Sequence, residues 1–144
     1  MEIKAVVPVP INPNVEDAWA MVMPYLQEAI DREDVGRSWS TQGMREAAAQ
    51  QPGRYVLWAL TQGTRIVGAM LTCFTSYPNR TVLEIVALAA QAYSITDWET
   101  ITDPVRAYAS THGAVAVTGR GRAGWAKVLQ ATRTTTLWEV DLGE

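Results

Sequence analysis

Residues 54 to 90 read RYVLWALTQGTRIVGAMLTCFTSYPNRTVLEIVALAA and contain three β-rich runs separated by short breaks. The runs span residues 54–60, 65–76 and 81–90, and only Glu84 interrupts the apolar character of the third. In the first break, Gly63 can adopt the positive φ that a tight turn requires. Neither break is long enough for the crossover that parallel strands need. The stretch therefore predicts three consecutive antiparallel strands in one sheet.

Before this stretch, apolar residues recur with helical spacing. A short strand over residues 3–9 is ended by prolines, and Asn14 can cap the helix that follows. The apolar face of that helix contains Val15, Trp19, Val22, Leu26 and Ile30. Pro24 predicts a kink or a split within the helix, because proline has no amide donor. A second, short helix begins at Ser40 or Thr41 and stops at a Gln-Pro-Gly sequence.

Helical spacing returns after the three strands. The helical pattern begins near residue 96. Within it, Pro104 predicts a kink or a restart, and Gly113 predicts the C-terminal stop of the helix. The remaining predicted elements are a strand over 114–117, a helix over 123–131 and a strand over 134–142. The order β-α-α-β-β-β-α-β-α-β predicts an α/β fold of the α+β type. We expect one domain over residues 1–144, with a mixed, centrally antiparallel sheet and helices on both faces.

The composition is that of a globular protein. The chain has 144 residues, of which 48% are hydrophobic and 19% charged, and its net charge is -3. No apolar stretch is long enough to cross a bilayer, and the net charge gives no general attraction to nucleic acid. Cys73 is the only cysteine, which excludes an intrachain disulfide and favours an intracellular location. One cysteine and one histidine are too few for a structural zinc site.

His112 and Cys73 have ordinary structural interpretations. His112 stands at the predicted end of a helix, where a cation also suits the helix dipole, so we expect a capping role. Cys73 lies in an apolar strand, where a thiol behaves as a small hydrophobic group, so we expect it in the core.

The charge is unevenly distributed along the chain. No acid occurs between Asp103 and Glu139, whereas five basic residues do. They are Arg106, Arg120, Arg122, Lys127 and Arg133. Two interpretations remain open: a solvated basic face, or a surface on which Arg120, Arg122 and Trp125 contact a partner or an anion. Trp39 is a second indole in a turn-like context and another candidate for a contact surface.

The same region spells G-x-G-x-x-G over residues 119–124, between a predicted strand and a predicted helix. In a dinucleotide-binding protein these glycines would approach a diphosphate, and Glu139 or Asp141 could bind a ribose. Trp125 is a poor residue for such an approach. A weaker interpretation uses the glycines as turn residues and lets the two arginines contact an anion.

The element order resembles that of the GNAT superfamily of N-acetyltransferases. Gly63, the Ile-Val-Gly sequence at 66–68 and the Leu-Glu-Ile-Val sequence at 83–86 look like the second to fourth strands of that fold. The Gly-Trp-Ala-Lys-Val-Leu segment at 124–129 is similar to small GNAT-like proteins of tailed bacteriophages. Together the resemblance covers about residues 40–142.

The resemblance implies a cofactor and a catalytic group. Acetyl-CoA would be held by the backbone of strand four at Val86, Ala87 and Leu88, and Glu84 would act as the base for an amine. By its strand position alone, Glu84 is equally an acid paired across the sheet. No metal is implied.

The sequence departs from the family where the cofactor's phosphates would bind. Family members have a glycine-rich turn after strand four, but residues 91–98 read QAYSITDW, with no glycine and no basic residue. Asp97 adds negative charge there. We therefore expect weak or no acetyl-CoA binding, and favour a protein-interaction module in a virion or against a host protein. An active N-acetyltransferase is the alternative, and a homo-oligomer fits either.

Overall fold

The computed structural model describes residues 5–32, 34–91 and 98–119, together with Val140 and Leu142. In chain order its elements are β1 Val6–Ile11, α1 Glu16–Arg32, a single 3-10 turn Asp34–Arg37, α2 Thr41–Gln50, β2 Tyr55–Gln62, β3 Arg65–Ser76, β4 Thr81–Ala90, α3 Glu99–Thr111 and β5 Ala116–Gly119. The helix predicted over 123–131 lies outside the described residues. Of the strand predicted over 134–142, the described Val140 and Leu142 are exposed and not in a strand, so the prediction is wrong at those two positions.

The described strands form one sheet in the order β1-β2-β3-β4-β5. The first four are antiparallel neighbours, and β5 runs parallel to β4. Gly63 has a φ of 63°, which permits the tight turn between β2 and β3. The predicted meander is confirmed, with β3 and β4 at the expected bounds.

The prediction that prolines end strand β1 is wrong. It runs through Pro8 and Pro10 as far as Ile11. Among the described strands β1 is at the edge, and the Val7 carbonyl faces β2, since it accepts a hydrogen bond from the Thr61 hydroxyl at 3.0 Å. Backbone groups alternate along a strand, so the nitrogens of Pro8 and Pro10 face away from β2. The missing amide donors therefore cost no ladder hydrogen bond.

Both internal prolines lie within continuous helices. Of the two outcomes predicted for Pro24, the split does not occur, and α3 does not restart at Pro104. Each helix remains continuous because apolar residues are buried both before and after its proline. The buried face comprises Trp19, Val22, Leu26 and Ala29 in α1, and Ile101, Val105 and Ala109 in α3. Each large apolar side chain contributes about 1.5–3 kcal/mol on burial, which together outweighs the roughly 3 kcal/mol cost of an internal proline.

The helix ends agree only partly with the sequence. Ser40 caps α2 by accepting a hydrogen bond from the Gly43 amide at 3.0 Å, and Gly113 follows α3 with a φ of 86°. Helix α1, in contrast, begins at Glu16 rather than directly after Asn14. The Asn14 amide donates to the Asn12 side chain at 2.9 Å, so Asn12 organises the turn before the helix.

The helices cover both faces of the sheet, as predicted. Helix α3 packs on one face, against a core that includes Val56, Trp58, Leu60, Leu83 and Leu88. Helices α1 and α2 pack on the other face, against Leu57, Ala59, Leu71, Ala87 and Ala89. On the α3 face the Trp58 indole donates to the Thr72 hydroxyl at 2.9 Å, which satisfies two buried polar groups. No helix in the described ranges is long and apolar enough to cross a membrane.

The close contact between β3 and β4 gives a test of this packing. A Cβ at Gly68 would lie 2.6 Å from the Ala89 carbonyl oxygen and 2.9 Å from the Ala90 Cβ. We expect Gly68→Ala to lower the free energy of unfolding by about 1–3 kcal/mol, because backbone atoms would have to move. Denaturant unfolding measures this. Gly53→Ala is the control, since no atom lies within 4 Å of its Cβ. Equal effects of the two substitutions would contradict the β3–β4 contact.

Candidate functional site

Strand β4 contains a bulge at Val86. Leu71 of β3 pairs with Ala87 and Thr72 pairs with Ile85, so Val86 has no partner of its own in β3. The packing agrees with an extra residue. Val86 and Ala87 are consecutive, yet both contact the core on the α1/α2 face, whereas Ile85 and Leu88 contact the core on the α3 face. Because of the bulge, the residues after Val86 lie on the opposite face of the sheet from the one that strict alternation would give them.

Beyond the bulge, β4 has no described pairing with β5. The parallel pairing runs from Val82↔Ala116 to Ile85↔Gly119. The Gln91 amide donates to the Val67 carbonyl of β3 at 2.8 Å. Because backbone groups alternate, those of Leu88 and Ala90 point away from β3, toward the β5 side. We call residues 86–90 the post-bulge segment of β4. It includes Val86, Ala87 and Leu88, the residues expected to hold a cofactor, and only Leu88 of these three directs its backbone groups to that side.

Glu84 lies two residues before the bulge, in a row of side chains that crosses the sheet. The register places it opposite Cys73 of β3 and beside Thr118 of β5, and Cys73 lies opposite Tyr55 of β2. This row, Tyr55–Cys73–Glu84, is on the face covered by α1 and α2. Glu84 is half-buried and Cys73 is buried. The position agrees with both interpretations of Glu84, as a base near the bulge and as an acid within a cross-strand row.

Tyr55 is the titratable group that the row perturbs. Burial raises the pKa of Tyr55 above its ordinary value of 10.0, and the hydrogen bond with Cys73, the charge of Cys73 and the charge of Glu84 act in the same direction. The Arg54 guanidinium, 5.2 Å from the Tyr55 ring centroid, lowers the pKa. Tyr55 therefore holds its proton at neutral pH and can donate a hydrogen bond. No pattern in the sequence marks Tyr55 as part of such a row.

Trp39 completes the surroundings of the row. Its ring meets the Tyr55 ring edge-on, with centroids 5.6 Å apart and planes at 70°. Trp39 is half-buried against the α1/α2 core and so is only partly available as the contact surface expected from the sequence. Trp39 precedes α2. Arg45 of α2 connects that helix to the start of α1. Arg45 donates to the Pro13 carbonyl at 2.9 Å and forms an ion pair with Glu16.

The N-terminus of α3 is the place where the resemblance puts the phosphates of a cofactor. Residues 92–97, including Asp97, lie outside the described ranges. The first turn of α3 carries Glu99, and Trp98 at the N-cap contacts the core on the α3 face. The Thr100 hydroxyl donates to the Val6 carbonyl at 2.7 Å. This turn therefore carries a carboxylate where the resemblance puts an anion, and its Thr100 hydroxyl donates to β1.

The remaining sequence candidates divide into described and undescribed positions. Arg120, Arg122 and Trp125 lie outside the described residues, as does the G-x-G-x-x-G segment after Gly119. His112 is the C-cap of α3, with its Nδ1 2.8 Å from the Tyr108 carbonyl oxygen, which agrees with the capping interpretation. Cys73 is in the core, as expected. Within the described ranges, no three His, Cys, Asp or Glu residues are grouped to hold a metal ion.

The fold can be compared with known proteins. No protein-family model and no curated protein matches the sequence. Solved structures do match. An aminoglycoside acetyltransferase from an uncultured soil metagenomic sample has a TM-score of 0.69 at 14% identity, covering 96% of this chain and 99% of its own. A ribosomal-protein-alanine N-acetyltransferase from Brucella melitensis biovar Abortus has a TM-score of 0.67 at 9% identity, covering 96% and 100%.

A GNAT family acetyltransferase from Staphylococcus aureus has a TM-score of 0.62 at 12% identity, covering 96% of this chain and 99% of its own. At such identities the likeness concerns the fold. In the described residues, the five-stranded mixed sheet with helices on both faces matches the fold of these acetyltransferases, which confirms the predicted GNAT-like fold class.

The effect of the row on the pKa of Tyr55 can be tested by measuring the free energy of unfolding as a function of pH. Above about pH 10, the unfolded chain loses the Tyr55 hydroxyl proton while the folded protein still holds it. The free energy of unfolding should therefore fall as the pH rises through this range. We expect Tyr55→Phe to make that fall less steep in denaturant titrations at increasing pH. Tyr77→Phe, at an exposed tyrosine, is the matched control and should leave the slope unchanged. Identical slopes for wild type and Tyr55→Phe would show that the row does not perturb Tyr55.

Proposed function

We propose that this chain is a GNAT-fold module that binds a protein partner and does not use free acetyl-CoA in the ordinary way. One observation carries the proposal: the first turn of α3 holds Glu99, and the segment before it contains Asp97 and neither glycine nor a basic residue. The GNAT fold itself establishes no activity, because one fold supports unrelated functions.

The physical argument concerns the diphosphate of acetyl-CoA. Helix N-termini bind phosphates because their amides point outward and their dipole favours negative charge. A carboxylate in the first turn already uses that favourable potential and repels a second anion. A segment without glycine also keeps side chains between its backbone and the ligand. Both features weaken the binding of a diphosphate.

The partner surface is proposed at Arg120, Arg122 and Trp125. These residues occur on a glycine-rich segment within the acid-free stretch, and arginine and tryptophan are frequent anchors of protein interfaces. The similarity of residues 124–129 to phage proteins supports a virion or host protein as the partner. A reducing, intracellular setting would suit the single buried thiol.

A titration with acetyl-CoA tests the proposal. By calorimetry we expect no saturable binding at micromolar acetyl-CoA, because Asp97 and Glu99 repel its phosphates. Asp97→Gly is the informative variant, since it removes one charge and adds a flexible backbone position. We expect it to bind acetyl-CoA more tightly than wild type does. Low-micromolar binding by the wild-type chain would contradict the proposed function.

An active N-acetyltransferase is the second candidate, and the bulge at Val86 favours it. The bulge and the post-bulge segment of β4 would let strand backbone hold the pantetheine of acetyl-CoA, with half-buried Glu84 nearby as base or as the residue that orders a water. Structural neighbours include enzymes named for an aminoglycoside and for a ribosomal-protein alanine, so an amine acceptor would be the substrate class. The acetyl-CoA titration separates the two candidates.

Charge reversal at Arg120 and Arg122 tests the partner surface. For a solvated basic face, the double Glu variant should change the free energy of unfolding by only a few tenths of a kcal/mol and leave function intact. For a partner site, we expect lost binding with the fold unchanged, as measured by co-purification and thermal unfolding.

Arg32 and Arg37 serve as the control pair. Both are exposed, and they lie at the end of α1 and in the 3-10 turn that follows it. Their reversal should leave partner binding unchanged. A fully functional, normally assembling Arg120→Glu, Arg122→Glu variant would contradict the proposed surface.

A further inference from the structure

We infer that the exposed end of the β3–β4 hairpin, together with Arg54 at the start of β2, binds an acidic, extended segment of the protein partner. The inference rests on the proposed function and adds a second contact surface and the chemistry of the partner. We call Arg54, Tyr77 and Arg80 the hairpin surface, and all three residues are exposed. The surface lies at the start of β4, whereas the resemblance puts a cofactor beyond the end of that strand.

The β3–β4 turn presents Tyr77 and Arg80 side by side. The Tyr77 amide donates to the Arg80 carbonyl at 2.7 Å, and the Arg80 amide donates to the Tyr77 carbonyl at 3.3 Å. Residues that exchange both hydrogen bonds in this way have their side chains on the same face. Only Pro78 and Asn79 lie between them, and proline restricts the backbone of such a turn. The two residues are therefore positioned before a ligand binds, which lowers the entropy cost of binding.

All three residues of the hairpin surface are on the α1/α2 face. Side chains on this face form three successive pairs from the middle of β3 and β4 to the turn: Cys73 with Glu84, Thr75 with Val82, and Tyr77 with Arg80. Arg54 reaches the same face, because its guanidinium lies 5.2 Å from the centroid of the Tyr55 ring. That ring packs against the core on the α1/α2 face. One ligand can therefore contact the aromatic ring of Tyr77 and both guanidinium groups.

The separation of the two arginines sets the length of the ligand. Arg54 is in line with Leu83 of β4, because its carbonyl accepts a hydrogen bond from the Phe74 amide at 2.8 Å and Phe74 pairs with Leu83. From the strand spacing and the rise per residue, the Cα atoms of Arg54 and Arg80 are roughly 14 Å apart. An extended chain rises about 3.3 Å per residue, so carboxylates about four positions apart match this separation. The surface therefore fits a segment with several acids.

The charges at this end of the sheet favour an acidic ligand. Residues 51–55 and 74–82, which lead into β2 and join β3 to β4, contain no aspartate or glutamate. Neither Arg54 nor Arg80 forms an ion pair with a described residue. Glu84 is the first acid after Arg80, and four residues of strand place it about 13 Å away. Because the Debye length is about 8 Å at physiological ionic strength, its repulsion of a ligand at Arg80 is weakened.

The residue types also favour a protein segment over a nucleic acid. Tyr77 is 53% exposed, and tyrosine and arginine are enriched among the residues that anchor protein interfaces. Arg120 and Arg122, proposed above for partner contact, have the same charge as Arg54 and Arg80. A nucleic acid is disfavoured, since the net charge of the chain is -3 and two arginines neutralise few phosphates.

The test uses three fluorescently labelled probes in polarisation measurements on the full chain. The first is a peptide of alternating glutamate and serine with a central leucine. The second has lysine in place of each glutamate, and the third is an oligothymidylate of the same length. We expect saturable binding of the glutamate peptide, at least tenfold tighter than that of either other probe. Raising the salt concentration should weaken this binding, because the attraction is between exposed charges.

Substitutions in the hairpin surface locate the binding. The Arg54→Gln, Arg80→Gln double variant should bind the glutamate peptide at least tenfold more weakly than wild type, and Tyr77→Ala should bind it severalfold more weakly. The matched control is the Arg32→Gln, Arg106→Gln double variant, which changes the net charge equally. Arg32 is exposed at the end of α1, and Arg106 is exposed on α3, which covers the opposite face. The control should bind nearly as tightly as wild type. Thermal unfolding verifies that each variant is folded.

Equal affinity for the glutamate and lysine peptides, or no binding of either, would overturn the inference. Equal losses in the two double variants would also overturn it, because net charge and not this surface would then govern binding. Tighter binding of the oligothymidylate would assign the surface to nucleic acid instead. Self-association in light scattering that Tyr77→Ala abolishes would assign it to a second copy of the chain. The proposed function fails separately, through low-micromolar acetyl-CoA binding, whereas a silent peptide titration leaves that function standing.

Discussion

The extra residue at Val86 is the constraint on which the site depends. A strand alternates its faces with a period of two, so one inserted residue reverses every position after it. Before the bulge, Leu83 and Ile85 contact the core on the α3 face. Strict alternation from Ile85 would place Ala87 on that face and Leu88 on the other. The bulge reverses this, so Ala87 packs on the α1/α2 face and Leu88 on the α3 face.

The sequence predicts the meander well, because local chemistry determines it. Gly63 can form the turn, and the breaks between the runs are too short for anything but antiparallel neighbours. The sequence alone cannot predict the bulge at Val86. Residues 81–90 are apolar at every position except Thr81 and Glu84, so either face assignment buries hydrophobic side chains equally well. The position of the bulge is set by the layers that cover the sheet.

Tyr55 escapes sequence analysis for the same physical reason. Gln62 pairs with Arg65 across the turn, and counting back evenly from this pair would place Tyr55 opposite Thr72. The register shifts between Leu60 and Thr61, because Val67 is an extra residue in β3, so Tyr55 lies opposite Cys73 instead. A one-residue shift thus brings a phenol beside a thiol and a carboxylate. The β1 prolines depend on tertiary context in a related way, since the edge position of the strand makes them harmless to the ladder.

The two halves of the site differ in what determines them. The bulge and the post-bulge segment of β4 are fixed by the core, where Ala87 and Leu88 are buried on opposite faces and Ala89 lies against Gly68. The start of α3, where the resemblance puts a cofactor's phosphates, depends instead on which residue types the sequence supplies just before and within its first turn. A GNAT fold can therefore persist whether or not the chain binds CoA. The charge and the glycine content at the start of α3, more than the strand geometry, therefore set how favourable this end of the fold is for a phosphate group.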